Sequence, residues 1–405
     1  MTVFLTRTAS LALAFGFFFF VSCTTSLSTL EQAQSSFDDG DYEQALSSVD
    51  KAIKENPEQA DLLLLKAETL HKLALVKDRP GERTIFYREM TETLKRIGPD
   101  VSEEIQQRKR ALIGNSWKAE HQAGTRLYRS QASEPTTGDG RINSHLGNAI
   151  EIAPDSIDSY RIKASHHYNQ GELNRAIETL ELANRNVADP PLDMREKHAF
   201  LLLEEGRLET AIELYSTLAD SHPDNERIKH GLANAYILDG RHSESIQLLR
   251  ELIESSPDDV SYHQAIATEL FFQVQLLIQQ MRETNPDTLA PDFATELEQY
   301  LNEAEIHYQF VMEQHPGASD VTYLTGAFYK NTASQLFQLA EHLDSPLADR
   351  VEELAIDLLT RSVPVWQQLA ETNPENSDVW RSIHQIYTRL GMMEEAEEAQ
   401  SNVNF

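Results

Sequence analysis

One spacing of small residues recurs along this chain and limits what it can fold into. A glycine is followed by a small residue five positions later, a small or apolar residue seven positions after that, and a proline or alanine five positions further on. The clearest copies begin at four glycines: Gly40, Gly171, Gly206 and Gly240. The last two are 34 residues apart. A fixed period of roughly 20–50 residues predicts one array of stacked helix pairs rather than two or three unrelated domains.

The residues in this spacing have definite structural roles. In the copy that starts at Gly206, the glycine supplies the left-handed residue that ends one helix, and Ala211 lets the paired helices approach closely. Pro223 ends the second helix. This period and these small residues resemble the tetratricopeptide repeat (TPR). The resemblance implies an all-α, TPR-type α-solenoid, a right-handed superhelix of antiparallel helix pairs, whose ligand-facing residues lie on the first helix of each pair.

The copies predict an organisation of the folded part of the chain. Two repeats, 260–318 and 319–376, are each about 25 residues longer than the period and carry the surplus between their two helices. A lone elongated pair would expose its apolar extension, so we expect these two to pack on each other. The predicted segments are N-terminal repeats at 30–101, an irregular and locally basic repeat at 102–156 with a loop at 133–140, regular repeats at 157–259, two elongated repeats at 260–376 and a terminal capping helix pair at 377–405.

The first 22 residues are predicted to be a signal peptide. Arg7 is the only charged side chain among them, and an apolar run of 11 residues follows at 11–21. Such a run is too short to span a hydrocarbon core of about 30 Å as a helix, but it has the length of a signal-peptide core. The run ends close to Cys23, the only cysteine of the chain.

The sequence around Cys23 resembles the lipobox of bacterial lipoproteins. The resemblance implies lipidation at Cys23 and a short lipidated tether over 23–29. Phe20 stands where that family prefers leucine, so an ordinary secretory signal that is cut elsewhere stays open as the alternative. Thr24 follows the cysteine, where inner-membrane lipoproteins carry aspartate. The predicted location is therefore the outer membrane, facing the periplasm.

Composition and motifs exclude several functions. The formal net charge of -30 repels the phosphate backbone, so nucleic acid is not an expected partner. No metalloprotease, phosphate-loop or serine-hydrolase motif is present. The only adjacent histidines, His166 and His167, lack the spacing of a helical chelate. The sequence thus predicts no enzyme, no cofactor and no metal site.

Two sets of residues are candidates for binding. The resemblance places one set on the first helices, facing the groove: Arg161, Tyr168, Phe200, Arg227, His230, Phe271, Phe272, Tyr323, Arg381 and Arg389. The aromatic members are equally consistent with the core. The second set belongs to a stretch, 95–141, where basic residues outnumber acidic ones: Arg108, Lys109, Arg110, Arg126 and Arg129. These residues either contact anionic head groups or an acidic partner, or form a solvated face that pairs internally.

The predicted function is a membrane-anchored scaffold or adaptor in the bacterial cell envelope. Its partner would be an envelope protein or peptide, and its membrane contact would be the lipid at Cys23. One alternative is a solute- or peptide-binding lipoprotein with a pocket in the elongated repeats. A second is a regulator of cell-wall metabolism, or an enzyme in it.

Overall fold

The computed structural model describes residues 30–131, 139–283, 293–344 and 346–403, and these form helices without any strand. The predicted signal peptide, Cys23 and residues 133–138 of the predicted loop lie outside the described residues. The helices are α1 (30–38), α2 (Tyr42–Glu55), α3 (Ala60–Leu75), α4 (Pro80–Lys95), α5 (Glu103–Gln131), α6 (Asp139–Ile152), α7 (Ile157–Asn169), α8 (Leu173–Asn186), α9 (Leu192–Glu204), α10 (Leu208–Ser221), α11 (Glu226–Asp239), α12 (His242–Ser255), α13 (Val260–Glu283), α14 (Phe293–Gln314), α15 (Ser319–Ala340), α16 (Leu347–Thr372), α17 (Ser377–Leu390) and α18 (Met393–Val403).

The fold is all-α, as the sequence predicts. No helix in the described ranges is long and apolar enough to cross a membrane. The glycines of the repeated spacing take the predicted backbone conformation: φ is +79° at Gly206 and +73° at Gly240, where the chain turns between two helices. Only glycine adopts this region without a steric penalty. The small-residue spacing therefore marks the helix boundaries.

The chain divides into two compact units at Glu205 and Gly206. In the N-terminal unit most helices from α2 onward pack on the next one along the chain, but the main neighbour of α4 after α3 is α6 and not α5. Helices α3, α5 and α7 also pack side by side. One layer thus holds the first helices of successive pairs and the other holds second helices. Much of the hydrophobic core consists of buried leucines of α3 together with Tyr87 and Met90 of α4.

A buried carboxylate joins three helices of this unit. Glu120 of α5 accepts hydrogen bonds from Arg83 and Tyr87 of α4, each at 3.0 Å, and from His145 Nδ1 of α6 at 2.6 Å. Its side chain is only 1% exposed. Burial would raise the pKa of the Glu120 carboxyl, but the bonds from His145 and Arg83 outweigh burial and hold this pKa below its usual range.

The C-terminal unit contains the elongated repeats. Helices α13, α14, α15 and α16 have 24, 22, 22 and 26 residues, against 14 for α11, α12 and α17. They pack on one another, with α13 beside α15 and α14 beside α16. Their apolar faces share one hydrophobic core, which includes the buried Trp366. Each extension therefore covers the apolar face of its neighbour.

Candidate functional site

The first helices α7 and α9 run parallel and in register within the N-terminal unit. Arg161 of α7 forms an ion pair with Asp193 of α9 at 2.9 Å. Seven residues further along each helix, the rings of Tyr168 and Phe200 meet edge to face, 6.3 Å apart. The ammonium of Lys197 lies over both rings, at 4.1 and 4.5 Å from their centres. The structure therefore brings the predicted Arg161, Tyr168 and Phe200 onto one face, where both cations already have partners.

Four more of the predicted groove residues lie on helices α11 and α13. Arg227 and His230 both lie on α11. His230 Nε2 accepts a hydrogen bond from Asn234 at 3.0 Å, and its ring is 5.7 Å from that of Tyr262 on α13. Phe271 packs against the hydrophobic core, whereas Phe272 is 45% exposed and stacks on His242. Phe271 is thus a core contact, and its neighbour lies on the surface.

A cleft opens in the C-terminal unit between the first helices α15 and α17, over α16. Lys330 of α15 donates a hydrogen bond to Ser382 of α17 at 2.9 Å. Seven residues further along both helices, the guanidinium of Arg389 lies over the ring of Phe337, 4.3 Å from its centre. The helices are therefore parallel and in register. The cleft has a volume of about 490 Å³ and is lined by Lys330, Ser334, Phe337, Gln338, Glu341, Leu359, Gln385, Ile386 and Arg389.

Lys330 marks one end of this cleft. Its ammonium is 5.6 Å from the centre of the Trp366 ring, and its only hydrogen-bond partner within the described part of the chain is the Ser382 hydroxyl. Burial lowers the pKa of Lys330 below its ordinary value. In the described ranges no carboxylate forms an ion pair with it. A half-buried cation without a counter-ion is the main electrostatic feature of the cleft.

Arg389 is the second cation of the cleft and lies at the level of Phe337. It contacts the Phe337 ring, and no described carboxylate forms an ion pair with it. Glu341 is the only acidic residue among those lining the cleft, and it follows the last residue of α15, four positions beyond Phe337. The apolar floor between the two cations consists of Phe337, Leu359 and Ile386, all buried. The cleft therefore offers two cations and one carboxylate around an apolar surface.

Two other predicted groove residues lie outside this lining. Arg381 forms an ion pair with Asp378, three residues earlier on α17. Tyr323 is 47% exposed and meets the edge of the Trp366 ring near the start of α15. Of the predicted residues, only Arg389 lines the cleft.

The predicted basic set on α5 separates into two parts. Arg108 forms a two-pronged ion pair with Glu68, Lys109 donates to the carbonyl of Ile97, and Arg110 pairs with Glu103. Arg126 and Arg129 are exposed, and among the described residues neither forms an ion pair. They line a shallow hollow on the second half of the helix together with His121, Gln122 and Thr125. The internal-pairing interpretation thus fits the first three residues and not the last two.

Sequence reasoning missed Lys330, Phe337 and Glu341. These residues follow the start of α15 by several turns, whereas the repeat pattern points to positions near the start of each first helix. A usable signal was present, because Lys330 and Phe337 are seven residues apart and so are Ser382 and Arg389. Seven residues are about two helical turns, which keeps each pair on one face. Because α15 is elongated, its cleft residues lie further from the start of the helix than the groove positions expected from a standard repeat.

One further cluster of titratable side chains joins two helices of the C-terminal unit. His242 Nδ1 and Ser245 Oγ both bond to the same oxygen of the buried Glu269, at 2.9 and 2.8 Å. In an acyl-transfer triad the serine would bond to the histidine instead. This cluster therefore ties α12 to α13. Across the described ranges, no group of three or more histidine, cysteine, aspartate or glutamate side chains is placed to hold a metal ion.

The fold and this site define a class: an all-α array of antiparallel helix pairs that presents the faces of its first helices. The tetratricopeptide repeat family matches at residues 30–78 and again at 202–269. The chain thus contains tetratricopeptide repeats, one match lying within the N-terminal unit and the other falling mostly in the C-terminal unit. Arrays of this kind are scaffolds for protein interactions, with extended binding surfaces.

Solved structures with similar folds are distant. The C-terminal part of a TPR repeat-containing protein from Cytophaga hutchinsonii is 13% identical over 70% of this chain and 93% of that chain, with a TM-score of 0.40. YrrB, a TPR protein with an unusual peptide-binding site, is 14% identical over 58% and 96%, with a TM-score of 0.38. The Naa15/Naa10 structure bound to HypK-THB is 15% identical over 94% of this chain and 63% of that chain, with a TM-score of 0.33. This chain therefore spans less than two thirds of that last structure. Curated protein sequences include no match.

Proposed function

We propose that this TPR protein is a scaffold of the bacterial cell envelope, anchored through a lipid at Cys23 and binding a segment of a partner protein in the cleft between α15 and α17. The observation that carries the proposal is the pair of cations in the cleft, Lys330 and Arg389, which face no described counter-ion. By contrast, Arg161 between α7 and α9 forms an ion pair with Asp193, and Lys197 beside it lies over two aromatic rings much as Lys330 and Arg389 lie over theirs. Interfaces concentrate binding energy in arginine and aromatic side chains, which this cleft combines.

The shape of the cleft favours a chain segment over an enclosed solute. Parallel first helices form its two walls, and its lining extends along α15 from Lys330 to Glu341. Eleven residues of helix correspond to about 16 Å. A segment of extended chain can follow such a length, whereas a small solute would contact only part of it.

Crosslinking in intact cells followed by affinity capture tests this function. The double variant Lys330→Glu with Arg389→Glu is expected to lose most of the partner that the wild-type protein captures, because both cations become like charges for an acidic ligand. Arg381→Glu is the matched control, since Arg381 is exposed on α17 but lies outside the cleft. Equal capture by all three proteins would contradict the proposed site. Absence of any enriched protein, together with binding of a small anion to the purified chain, would favour the solute-binding alternative instead.

The anchor has a separate test. Cys23→Ser is expected to move the protein from the membrane fraction to the soluble fraction of lysed cells, because the thioether-linked lipid cannot form without the thiol. The measurement is fractionation followed by immunoblotting, with Ser26→Ala in the predicted tether as control. Membrane association that persists in Cys23→Ser would contradict lipidation at this residue.

A further inference from the structure

The charged groups along the cleft have a fixed order. Lys330 lies at one end, the apolar floor of Phe337, Leu359 and Ile386 follows, and Arg389 lies at the level of Phe337. Glu341 comes last, one helical turn beyond Phe337. Along α15, the surface of the cleft presents a cation, an apolar area, a second cation and an anion, in that order. A ligand complementary to it would present anion, apolar, anion, cation in the same direction.

The helix geometry sets the spacing of that ligand. Lys330 and the contact between Phe337 and Arg389 are seven residues apart on α15, or about 10 Å. An extended chain advances about 3.3–3.6 Å per residue, so 10 Å corresponds to about three residues. The further turn from Phe337 to Glu341 is about 6 Å, or two extended residues. The ligand's anions would thus be three residues apart, and its cation two residues after the second anion.

On these grounds we infer that the cleft recognises an internal, extended segment with two carboxylates three residues apart, an apolar side chain between them and a basic residue two positions after the second carboxylate. The inference rests on the proposed function and specifies the partner's chemistry. Glu341 makes the segment internal rather than a chain end: a free terminal carboxylate at Arg389 would lie next to this acid, whereas a continuing chain can place a basic side chain there.

Peptide binding tests the order and the spacing. The probe is a fluorescein-labelled Glu-Ser-Leu-Glu-Ser-Lys peptide flanked by glycines, acetylated and amidated, and titrated with the purified mature chain by fluorescence anisotropy. A scrambled peptide, Glu-Glu-Lys-Ser-Leu-Ser, has the same composition and charge. We expect the ordered peptide to bind at least about tenfold tighter than the scrambled one, since one carboxylate meets the half-buried Lys330 and the other meets Arg389, which the Phe337 ring holds in place.

Variants of the protein assign the contacts. Lys330→Gln and Arg389→Gln should each weaken the ordered peptide about tenfold, and Arg381→Gln should leave its binding unchanged. Arg389→Glu should recover binding to a peptide whose second glutamate is replaced by lysine, which a merely unfolded variant would not do. Circular dichroism checks that each variant keeps its helices.

Each contrary result has a definite meaning. Equal binding of the ordered and scrambled peptides, or an equal loss in Arg381→Gln, would overturn the inference in favour of unspecific attraction. Tighter binding of a peptide that ends in a free carboxylate after its second glutamate would overturn it in favour of a chain end. If neither peptide binds while capture of the partner in cells still depends on Lys330 and Arg389, the inferred order of charges in the ligand is wrong and the proposed function stands. If capture is independent of both residues, the proposed site itself fails.

Discussion

Replacing Glu120 with alanine is expected to cost the N-terminal unit about 3–5 kcal/mol of folding free energy, the typical cost of removing one partner of a buried ion pair. The loss leaves Arg83, Tyr87 and His145 without their shared acceptor. These three side chains come from α4 and α6, so the interfaces of both helices with α5 weaken together.

Hydrogen exchange followed by mass spectrometry measures this effect, because it reports on each unit of the full chain separately. Protection should fall in α4, α5 and α6 and stay unchanged in α15 and α16. Glu104→Ala is the control, since Glu104 is exposed on the same helix and its loss should change stability by less than about 0.5 kcal/mol. Unchanged protection around Glu120 in Glu120→Ala would show that the buried network does not hold these helices together.

Gly231→Ala is expected to destabilise the C-terminal unit by up to about 2 kcal/mol, since the usual overpacking cost of about 1–3 kcal/mol is partly offset by the better helix propensity of alanine. A Cβ atom at this position of α11 would lie 2.5 Å from Cζ and 2.7 Å from Oη of Tyr215 on α10. Tyr215 is itself buried, so its ring has little room to move. The steric cost therefore exceeds the gain of about 1 kcal/mol that alanine brings to a helix interior.

The same substitution at Gly114 is the matched control. Gly114 is exposed in the interior of α5, and nothing lies within 4 Å of a Cβ atom there. Gly114→Ala should therefore stabilise its unit by about 0.5–1 kcal/mol. Hydrogen exchange in α11 and α5 compares the two variants. If both raised the protection of their helices, close packing at Gly231 would be refuted.

The features that depend on local chemistry could be predicted from the sequence. A glycine at a helix end needs a left-handed conformation whatever surrounds it, so Gly206 and Gly240 revealed the helix boundaries. Their fixed period then led to the stacked pairs. The elongation of α13 to α16 followed from apolar runs too long for a standard repeat. These properties are determined by residues that are near one another along the chain.

The binding face depends on contacts between distant residues, and the sequence revealed it only in part. The sequence alone does not distinguish Arg161 from Arg389, because each is an arginine on a predicted first helix. However, Asp193 neutralises Arg161 from 32 residues away, whereas Arg389 meets only a phenyl ring. Likewise Phe271 and Phe272 are adjacent, and only the packing of α13 on α15 decides that Phe271 is the one in the core. Which cation stays free to bind a partner is a property of the packed helices.

The most direct test of the central claim is crosslinking from inside the cleft in intact cells. Ser334 is exposed in its lining, and Glu353 is exposed on α16 outside the lining. Ser334→Cys and Glu353→Cys therefore attach a cysteine-directed photo-crosslinker at two positions, while the native Cys23 is expected to be blocked by its lipid. We predict one defined protein adduct from position 334, none from position 353, and loss of the adduct when Lys330 and Arg389 are both changed to glutamate. No adduct at 334, or the same adduct from both positions, would contradict a protein-binding cleft between α15 and α17.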